Sequence, residues 1–495
     1  MRKLLTFVLL CVGINAVAQD FHIDFSRVGY MWGEKPIPVY ENKIVLTAPA
    51  DGADATAIIQ EALDNVETPG AVLLKEGVYN VAGKLVINRD GVVLRGEGNN
   101  TIVKAVGTGK RALITIGRHS ERQARRAAMI VDKKTPAGQL WIKVDNPSAF
   151  KVGDRISVCM RPNEKWISDL KMDVIARRRP GLVLRQWTPE EYIINWERTV
   201  VGVEKNKVYL DNPIVMELDK KYMIAPVYHV TRDRVTQSGV ENMLLESEYN
   251  PEVTAKVPYG KYQGMVHMSD EAHSWDAVDV RAAEHCWLQG ITSKYFAYAL
   301  VNLKDGAKNI TVKDCVSTEP ISYISGGRRY AFCFEGGELC LIENCRAEHD
   351  RHSFVTGAKV AGPNVIVDCE MVHAYEDVGP HHRWANGMLY DNCTTDHLMA
   401  VQDRGDYGSG HGWAGVNFVF WNCVAETIVC QNPWISGKNW CVGCIGKKLE
   451  ASRPFNDNLV RPDGEWQSHG KHVEPKSLYR SQLESRKFKI TSVIK

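Results

Sequence analysis

Short apolar runs with the residue types of β-strands recur through the second half of the chain. Residues 309–315, 364–369 and 417–423 each begin with Asn, continue through β-branched or aromatic residues, and end in an Asp-Cys or Asn-Cys pair. Six cysteines follow the repeat at intervals of 30, 24, 24, 30 and 21 residues: Cys315, Cys345, Cys369, Cys393, Cys423 and Cys444. This interval predicts a parallel β-solenoid, in which equivalent positions of successive coils stack in ladders.

The pattern divides the rest of the chain around this solenoid. Residues 236–447 are predicted to form the main solenoid and residues 19–117 its first coils, where the apolar stripe of residues 57–63 predicts a helix that caps the open end. Residues 118–235 break the repeat with longer connections and predict an inserted β-rich subdomain. Residues 448–495 are polar and predict a C-terminal capping or surface segment. The predicted fold class is therefore all-β.

The N-terminus has the layout of a cleavable signal peptide. Arg2 and Lys3 precede an apolar run that begins at Leu4, and Ala16-Val17-Ala18 supplies the small residues of a cleavage site. We predict that residues 1–18 are removed after Ala18 and that the protein is secreted or periplasmic. No other apolar run is long enough to span a membrane. A net charge of +2 gives no indication of a nucleic-acid partner.

Export would allow the cysteines to form disulfides, but the repeat argues against them. Stacked cysteines lie one strand spacing apart with parallel side chains, which is poor geometry for a disulfide. We expect them to be buried thiols that pack as small apolar groups.

Three stretches near the N-terminus resemble the opening of pectate-lyase-superfamily proteins: Asp51-Gly-Ala-Asp, Gly70-Ala-Val-Leu-Leu-Lys-Glu-Gly-Val-Tyr and Gly91-Val-Val-Leu-Arg-Gly-Glu-Gly. The coils of the second half are similar to the stacked repeats of that class, so the resemblance covers residues 51–117 and 236–447. It implies a right-handed parallel β-helix. It also implies a superfamily of polysaccharide lyases, glycoside hydrolases and noncatalytic members, so the reaction has to be argued from the residues.

The cysteine interval predicts which side chains stack. Counting back ten to twelve residues from each cysteine aligns a basic wall made of Lys359, Arg383, His381, His382 and His411. Burying such charges without partners would cost several kcal/mol each, so we expect them to face solvent or a ligand. We predict that these five residues, together with Asp403, form the catalytic site.

Two loops next to this wall are rich in rings and charges. Residues 379–387 and 402–415 combine His, Arg, Asp and Trp, and clusters of this kind bind sugars by stacking and hydrogen bonding. The predicted substrate-binding residues are Arg328, Arg351, His352, Trp384, Arg404, Trp413 and Trp434. Glu376, Asp377 and Asp406 are weak candidates for a Ca²⁺ site, because no loop with fixed ligand spacing accompanies them. The predicted partner is an acidic polysaccharide or oligosaccharide.

On an acidic polysaccharide, this wall predicts a lyase that acts by β-elimination. The enzyme must neutralise a uronate carboxylate, remove the adjacent proton and protonate the leaving oxygen. Arg383 and Lys359 would divide the roles of neutraliser and base, and a histidine would act as acid or base.

Two alternatives remain open. A glycoside hydrolase would use a carboxylate pair among Asp350, Asp377 and Asp403, which fall in the same section of three successive coils. A noncatalytic carbohydrate-binding solenoid would need the aromatic residues but not the basic wall.

Overall fold

The chain folds as a right-handed parallel β-helix with three faces per coil, which confirms the predicted fold class. The computed structural model describes residues 21–178 and 180–493, with side chains described up to residue 486. The predicted signal peptide, residues 1–18, lies outside the described residues.

Face 1 is a seven-stranded parallel sheet. Its strands are Leu85–Ile87, Ala112–Gly117, Asp276–Arg281, Ala299–Leu303, Phe332–Phe334, Phe354–Thr356 and Gly379–Pro380.

Faces 2 and 3 together form one 19-stranded sheet, and three strands run through both faces: Val92–Ala105, Gly239–Ser247 and Trp287–Lys294. The other strands of face 2 are Asn42–Leu46, Gly70–Leu74, Thr311–Lys313, Leu341–Glu343, Ala361–Val367, Ala385–Asp391, Gly415–Trp421, Trp440–Val442 and Glu465–Gln467. The other strands of face 3 are Gly77–Val81, Val316–Thr318, Arg346–Glu348, Glu370–Val372, Thr394–Val401, Val424–Cys430 and Ile445–Lys448.

The Asx-Cys pairs form the corner between faces 2 and 3. The Asx residue of each pair has a left-handed backbone, with φ between 50° and 54° at Asp314, Asn344, Asp368, Asn392 and Asn422. Asn and Asp tolerate this conformation better than other residues with a side chain. The corner then turns the next side chain inward, so the six repeat cysteines are at most 2% exposed in the core of the helix.

All twelve cysteines in the described part of the chain are buried free thiols. The expectation of stacked thiols without disulfides is therefore confirmed for these residues.

The predicted N-terminal helix is present at Thr56–Asn65. It buries Ile59, Ala62 and Leu63 against the first strands of the helix core. A second helix, Leu478–Val493, lies near the C-terminus, where Leu478 and Tyr479 pack with side chains of face 2.

The segment that interrupts the repeat follows the face 1 strand Ala112–Gly117 along the chain, and it contains an antiparallel sheet. Its strands are Gln123–Met129, Trp141–Lys143, Arg155–Pro162, Ile194–Glu204, Lys207–Leu210, Met223–Ile224 and Pro226–Thr231, with a separate pair Lys134–Thr135 and Leu218–Asp219 and a short helix Glu164–Asp169. Val158 and Trp196 of this insertion share a buried apolar cluster with Val365 and Leu389 of face 2. The insertion therefore covers the outer side of face 2.

The remaining short elements lie in the turns. A three-stranded ladder joins Val235–Thr236, Ala283–Glu284 and Ala307–Lys308, and an antiparallel hairpin joins Thr254–Lys256 and Val266–Met268. Four 3₁₀ turns are found at Tyr30–Gly33, Ala50–Gly52, Pro147–Ala149 and Pro189–Tyr192. No helix in the described residues is long and apolar enough to cross a membrane.

Candidate active site

Four histidines from successive coils converge beside the last strands of face 1, and we call them the histidine cluster: His352, His381, His382 and His411. The ring centroid of His381 lies 4.5 Å from that of His352, 5.2 Å from that of His382 and 4.8 Å from that of His411. His381 and His411 are 30 residues apart in sequence, so stacking of coils brings them together. The predicted proximity of His381 and His411 is therefore present in the structure, while a catalytic role for the wall stays a prediction.

Tyr330 joins the histidine cluster to an arginine. The Tyr330 hydroxyl lies 3.1 Å from Nε2 of His381 and accepts a hydrogen bond of 3.2 Å from Nη1 of Arg351. Because the hydroxyl accepts from Arg351, its own proton is free to bond with His381. A phenol, an imidazole and a guanidinium are thus connected in one chain of hydrogen bonds.

Arg351 is a buried cation without an acidic partner. Its side chain forms no ion pair with any described residue, and its other hydrogen bond goes to the Tyr259 hydroxyl at 3.2 Å. An unpaired buried charge is costly, and buried charges normally have a counter-ion. The arrangement is suited to an anionic group of a ligand.

Arg404 of the neighbouring loop is paired instead. It forms a buried salt bridge with Asp377, and His352 bonds through Nδ1 to the Asp377 carbonyl at 2.6 Å. Burial opposes ionisation of Asp377, but the charge of Arg404 lowers the pKa of this carboxyl. Asp377 is therefore an anion that holds Arg404 and His352 in place.

The histidines of the cluster are held in the neutral form. Burial lowers the pKa of His381 well below its usual value, and the charge of Arg404 acts in the same direction. Burial, with the charge of Arg383, lowers the pKa of His382 to about 4. A neutral imidazole keeps one ring nitrogen with a free lone pair, which can accept a hydrogen bond or a proton in transit.

Each histidine of the cluster also has a buried ring nitrogen without a hydrogen-bond partner among the described residues. These atoms are Nε2 of His352 and Nδ1 of His381, His382 and His411. Buried polar atoms are almost always bonded in native proteins, so four such atoms on neighbouring rings suggest that a ligand supplies the partners.

The cysteine interval predicts the alignment of neighbouring coils correctly for only part of the basic wall. The backbone N–H of Lys359 donates to the Arg383 carbonyl at 2.8 Å, which confirms that these residues lie on adjacent coils. In the preceding coil Phe334 pairs with Thr356, although the corresponding cysteines are two residues further apart. Counting back ten residues from Cys345 and Cys369 would place Glu335 level with Lys359. The turn that follows Thr356 contains two extra residues, so Glu335 is level with Gly357 instead.

Two predicted substrate-binding rings are not available to a ligand. Trp384 and Trp413 are 0% exposed and belong to the apolar cluster under the insertion. Trp384 packs edge-on against Trp166 of the insertion at 5.0 Å between ring centroids. The prediction that these two residues stack on sugar is wrong, because the insertion covers this side of the coils.

Two further predicted residues have structural partners away from the histidine cluster. Asp403 is 1% exposed and bonds Arg461 of the C-terminal segment at 2.9 Å, which gives it no exposed oxygen for catalysis. Arg328 pairs with Glu271 at 2.6 Å. Trp434 is half-buried and packs edge-on against Trp413.

The three carboxylates predicted to bind calcium do not fit that role. Glu376 pairs with Arg453, Asp377 with Arg404 and Asp406 with Arg178. Each is neutralised by a guanidinium, whereas calcium needs several free oxygens around one point. No group of three or more histidine, cysteine or acidic side chains in the described part of the chain is arranged to hold a metal. We therefore derive no step through calcium.

A second polar group on face 1 lies where sequence reasoning had no register. Lys304 donates to Asp276 and to Asp279 at 3.1 Å each. Burial raises the pKa of Asp276 to about 6. Burial also opposes ionisation of Asp279, but the Thr115 hydroxyl and Lys304 lower its pKa. Asp276 and Asp279 are visible in the sequence as two carboxylates three residues apart. The first coils contain no Asx-Cys pair, however, so the sequence does not show how these residues align with the later coils.

Several solved structures are similar to this chain. A tailspike protein from Pseudomonas phage LKA1 has a TM-score of 0.44 at 13% identity, over 79% of this chain and 56% of the tailspike. An alginate lyase from Paenibacillus sp. FPU-7 has 0.41 at 8% identity, over 87% and 99% of the two chains. A polygalacturonase from Erwinia carotovora ssp. carotovora has 0.42 at 12% identity, over 89% and 98%.

The chain spans little more than half the length of the tailspike that it matches. No family model and no curated protein matches the sequence. At these identities the likeness concerns the fold alone.

Proposed function

We propose that this protein is an exported enzyme that cleaves a polysaccharide containing uronic acid by β-elimination at the histidine cluster. The observation that carries the proposal is Arg351, a buried guanidinium without an acidic partner, hydrogen-bonded to the same Tyr330 hydroxyl that meets His381. Elimination requires these two functions side by side, because one group neutralises the carboxylate while another moves the adjacent proton.

The roles follow from the hydrogen bonds. Arg351 binds the uronate carboxylate, which makes the proton on the neighbouring carbon more acidic. Tyr330 takes that proton while its own proton passes to Nε2 of the neutral His381. The carbon electrons form the double bond, the bond to the glycosidic oxygen breaks, and the proton returns from His381 through Tyr330 to the leaving oxygen. No proton is gained or lost overall.

Tyr259 covers the arginine in this structure. Its hydroxyl accepts from Nε of Arg351, the atom that would face an incoming carboxylate. Tyr259 lies in the loop of the hairpin between Thr254–Lys256 and Val266–Met268. We expect the substrate carboxylate to replace this hydroxyl.

The test is a comparison of Tyr330→Phe and His381→Ala with the wild type on polygalacturonate and alginate. General acid–base groups contribute roughly 10²- to 10⁴-fold to a rate, so each variant should lose turnover of that order, measured by absorbance of the unsaturated product at about 232 nm. His373→Ala is the matched control, because His373 is 57% exposed on another part of the coil. Turnover unchanged in both variants would exclude this site.

Glycoside hydrolysis at Asp276 and Asp279 is the second candidate function. Two carboxylates on one lysine, one with a raised and one with a lowered pKa, have the character of an acid and a base. This function predicts new reducing ends without absorbance at about 232 nm, and their loss in Asp276→Asn. Reducing ends that still appear in Asp276→Asn would rule it out.

A further inference from the structure

A groove of about 760 Å³ lies between the insertion and the turns that follow face 1. Eight lysine and arginine side chains line it against five carboxylates. The cations come from both sides, with Arg122 and Arg232 at the base of the insertion and Arg281, Lys304 and Lys359 on the coils. Cations of the groove that form no ion pair could bind an anionic ligand.

Three of the five carboxylates that line the groove, Glu197, Asp305 and Glu338, form ion pairs within its walls. Glu197 is buried and accepts from Arg234 at 2.8 Å and from Lys308 at 3.3 Å. Burial opposes ionisation of Glu197, but these two cations lower its pKa strongly. Glu338 pairs with Arg198 of the insertion. These acids hold the insertion on the coils, and four other cations of the groove pair with further carboxylates: Arg118 with Asp233, Arg232 with Asp305, and Arg281 and Lys304 with Asp279.

Two cations of the groove form no ion pair with any described residue. Arg122 donates to the Ser157 hydroxyl at 3.0 Å, and Lys359 donates to the Glu191 carbonyl at 2.7 Å. Burial lowers the pKa of Lys359. Both side chains are half-buried, so they keep part of their surface available to a ligand.

The groove continues into a second cavity that reaches Arg383. Ala358 and Lys359 also line a smaller cavity of about 180 Å³, together with Tyr192 and Arg383. The Tyr192 hydroxyl and Nε of Arg383 are buried there without hydrogen-bond partners among the described residues. Arg383 follows His382 directly in sequence.

We infer that this groove is an extended subsite in which the insertion and the coils grip further acidic sugars of the chain whose cleaved residue lies at the histidine cluster. The inference rests on the proposed function, because the site of cleavage sets the direction in which the bound polysaccharide runs along the groove. Lys359 and Arg383, predicted from sequence as catalytic, are then binding residues of the subsite. The insertion acts as a specificity element that selects long acidic chains over short or neutral ones.

The test measures binding apart from cleavage. In the full-length His381→Ala protein, Arg122→Gln is compared with Arg125→Gln by calorimetry on polygalacturonate, alginate and neutral dextran. Arg125 is exposed on the adjoining strand and does not line the groove. Loss of one charged hydrogen bond should raise Kd for an acidic chain about tenfold in Arg122→Gln only, and dextran should not bind.

Three outcomes would overturn the inference: equal Kd for the two arginine variants, equal binding of dextran, or no binding of either acidic chain. Failure of the proposed function gives a different result. If the protein binds the acidic polysaccharide through Arg122 but the wild type forms no unsaturated product, the subsite is supported and the proposed elimination is contradicted.

Discussion

Arg351 and Arg404 are two buried arginines near Asp377, and only Arg404 forms a salt bridge with it. Arg404 has Asp377 as its partner, whereas Arg351 has only tyrosine hydroxyls. A buried charge without a counter-ion reduces stability, and proteins keep such strain where a ligand relieves it. The contrast distinguishes a residue kept for binding from one kept for structure.

The two arginines should therefore respond differently to loss of charge. Arg404→Met leaves Asp377 buried and unpaired and should lower the free energy of unfolding by about 3–5 kcal/mol. Arg351→Met removes a buried charge but also two hydrogen bonds to tyrosine hydroxyls, so these effects offset each other and the free energy of unfolding should not fall, while activity is lost. Urea unfolding of both variants measures this difference. A large destabilisation in Arg351→Met would show that this arginine is structural.

The neutral histidines predict a loss of stability in acid. The pKa of His382 falls from 6.5 to about 4 on folding, so the unfolded chain binds more protons between these values. Stability then decreases as pH falls through this window. The difference in Tm between wild type and His382→Gln should shift in favour of the variant from pH 7 to pH 4. A constant difference across this range would contradict the buried, neutral state.

At the element scale, the repeating unit is the corner rather than the strand. Asn392 has φ of 54°, and its side chain donates to Asp368 of the previous coil at 2.6 Å. The corner fixes both the turn of the chain and the inward direction of Cys393. Because both features depend on the Asx-Cys pair, this pair predicts the position of each corner, and hence of each coil, from the sequence.

Substitutions at Asn392 separate the two roles of the corner. Asn392→Gly and Asn392→Ala both lose the hydrogen bond to Asp368, but only alanine is strained in the left-handed conformation. Asn392→Ala should be less stable than Asn392→Gly by about 1–2 kcal/mol in chemical unfolding. Equal stability of the two variants would mean that the backbone conformation does not limit the residue at the corner.

The elements that sequence reasoning placed wrongly lie in the turns. The interval between cysteines is the sum of three turns and three faces, so it cannot show where extra residues are inserted. Lys359 therefore aligns with Arg383, and His381 with His411, as the interval predicts. Glu335 lies two residues away from the position that the interval predicts. Tyr330 and Asp276 lie in coils where the cysteine interval is shifted or where no Asx-Cys pair occurs. Their positions relative to the other coils could therefore not be predicted from the sequence.

At the scale of the whole molecule, the insertion decides which surfaces are free. Its apolar side covers face 2 and buries Trp384 and Trp413, which the loop composition alone assigned to a ligand. Its charged side forms one wall of the groove. Sequence patterns predict that an insertion exists, but the coil against which it packs depends on long-range contacts.

The fold also predicts the chemical state of the cysteines. All twelve cysteines in the described chain are buried, and burial raises the pKa of the repeat thiols such as Cys369 and Cys423. A thiol reagent should therefore modify close to none of these cysteines in the native protein and all twelve after denaturation without reductant. Fewer reactive thiols in the denatured protein would reveal disulfides that the stacked geometry does not allow.

The most direct test of the central claim is one assay with two readouts on the purified wild-type protein. Polygalacturonate and alginate are incubated with the protein while absorbance at about 232 nm and new reducing ends are followed together. Elimination at the histidine cluster predicts that both signals rise in step on at least one of these acidic chains. Reducing ends that appear without absorbance, or no cleavage of either chain, would contradict it.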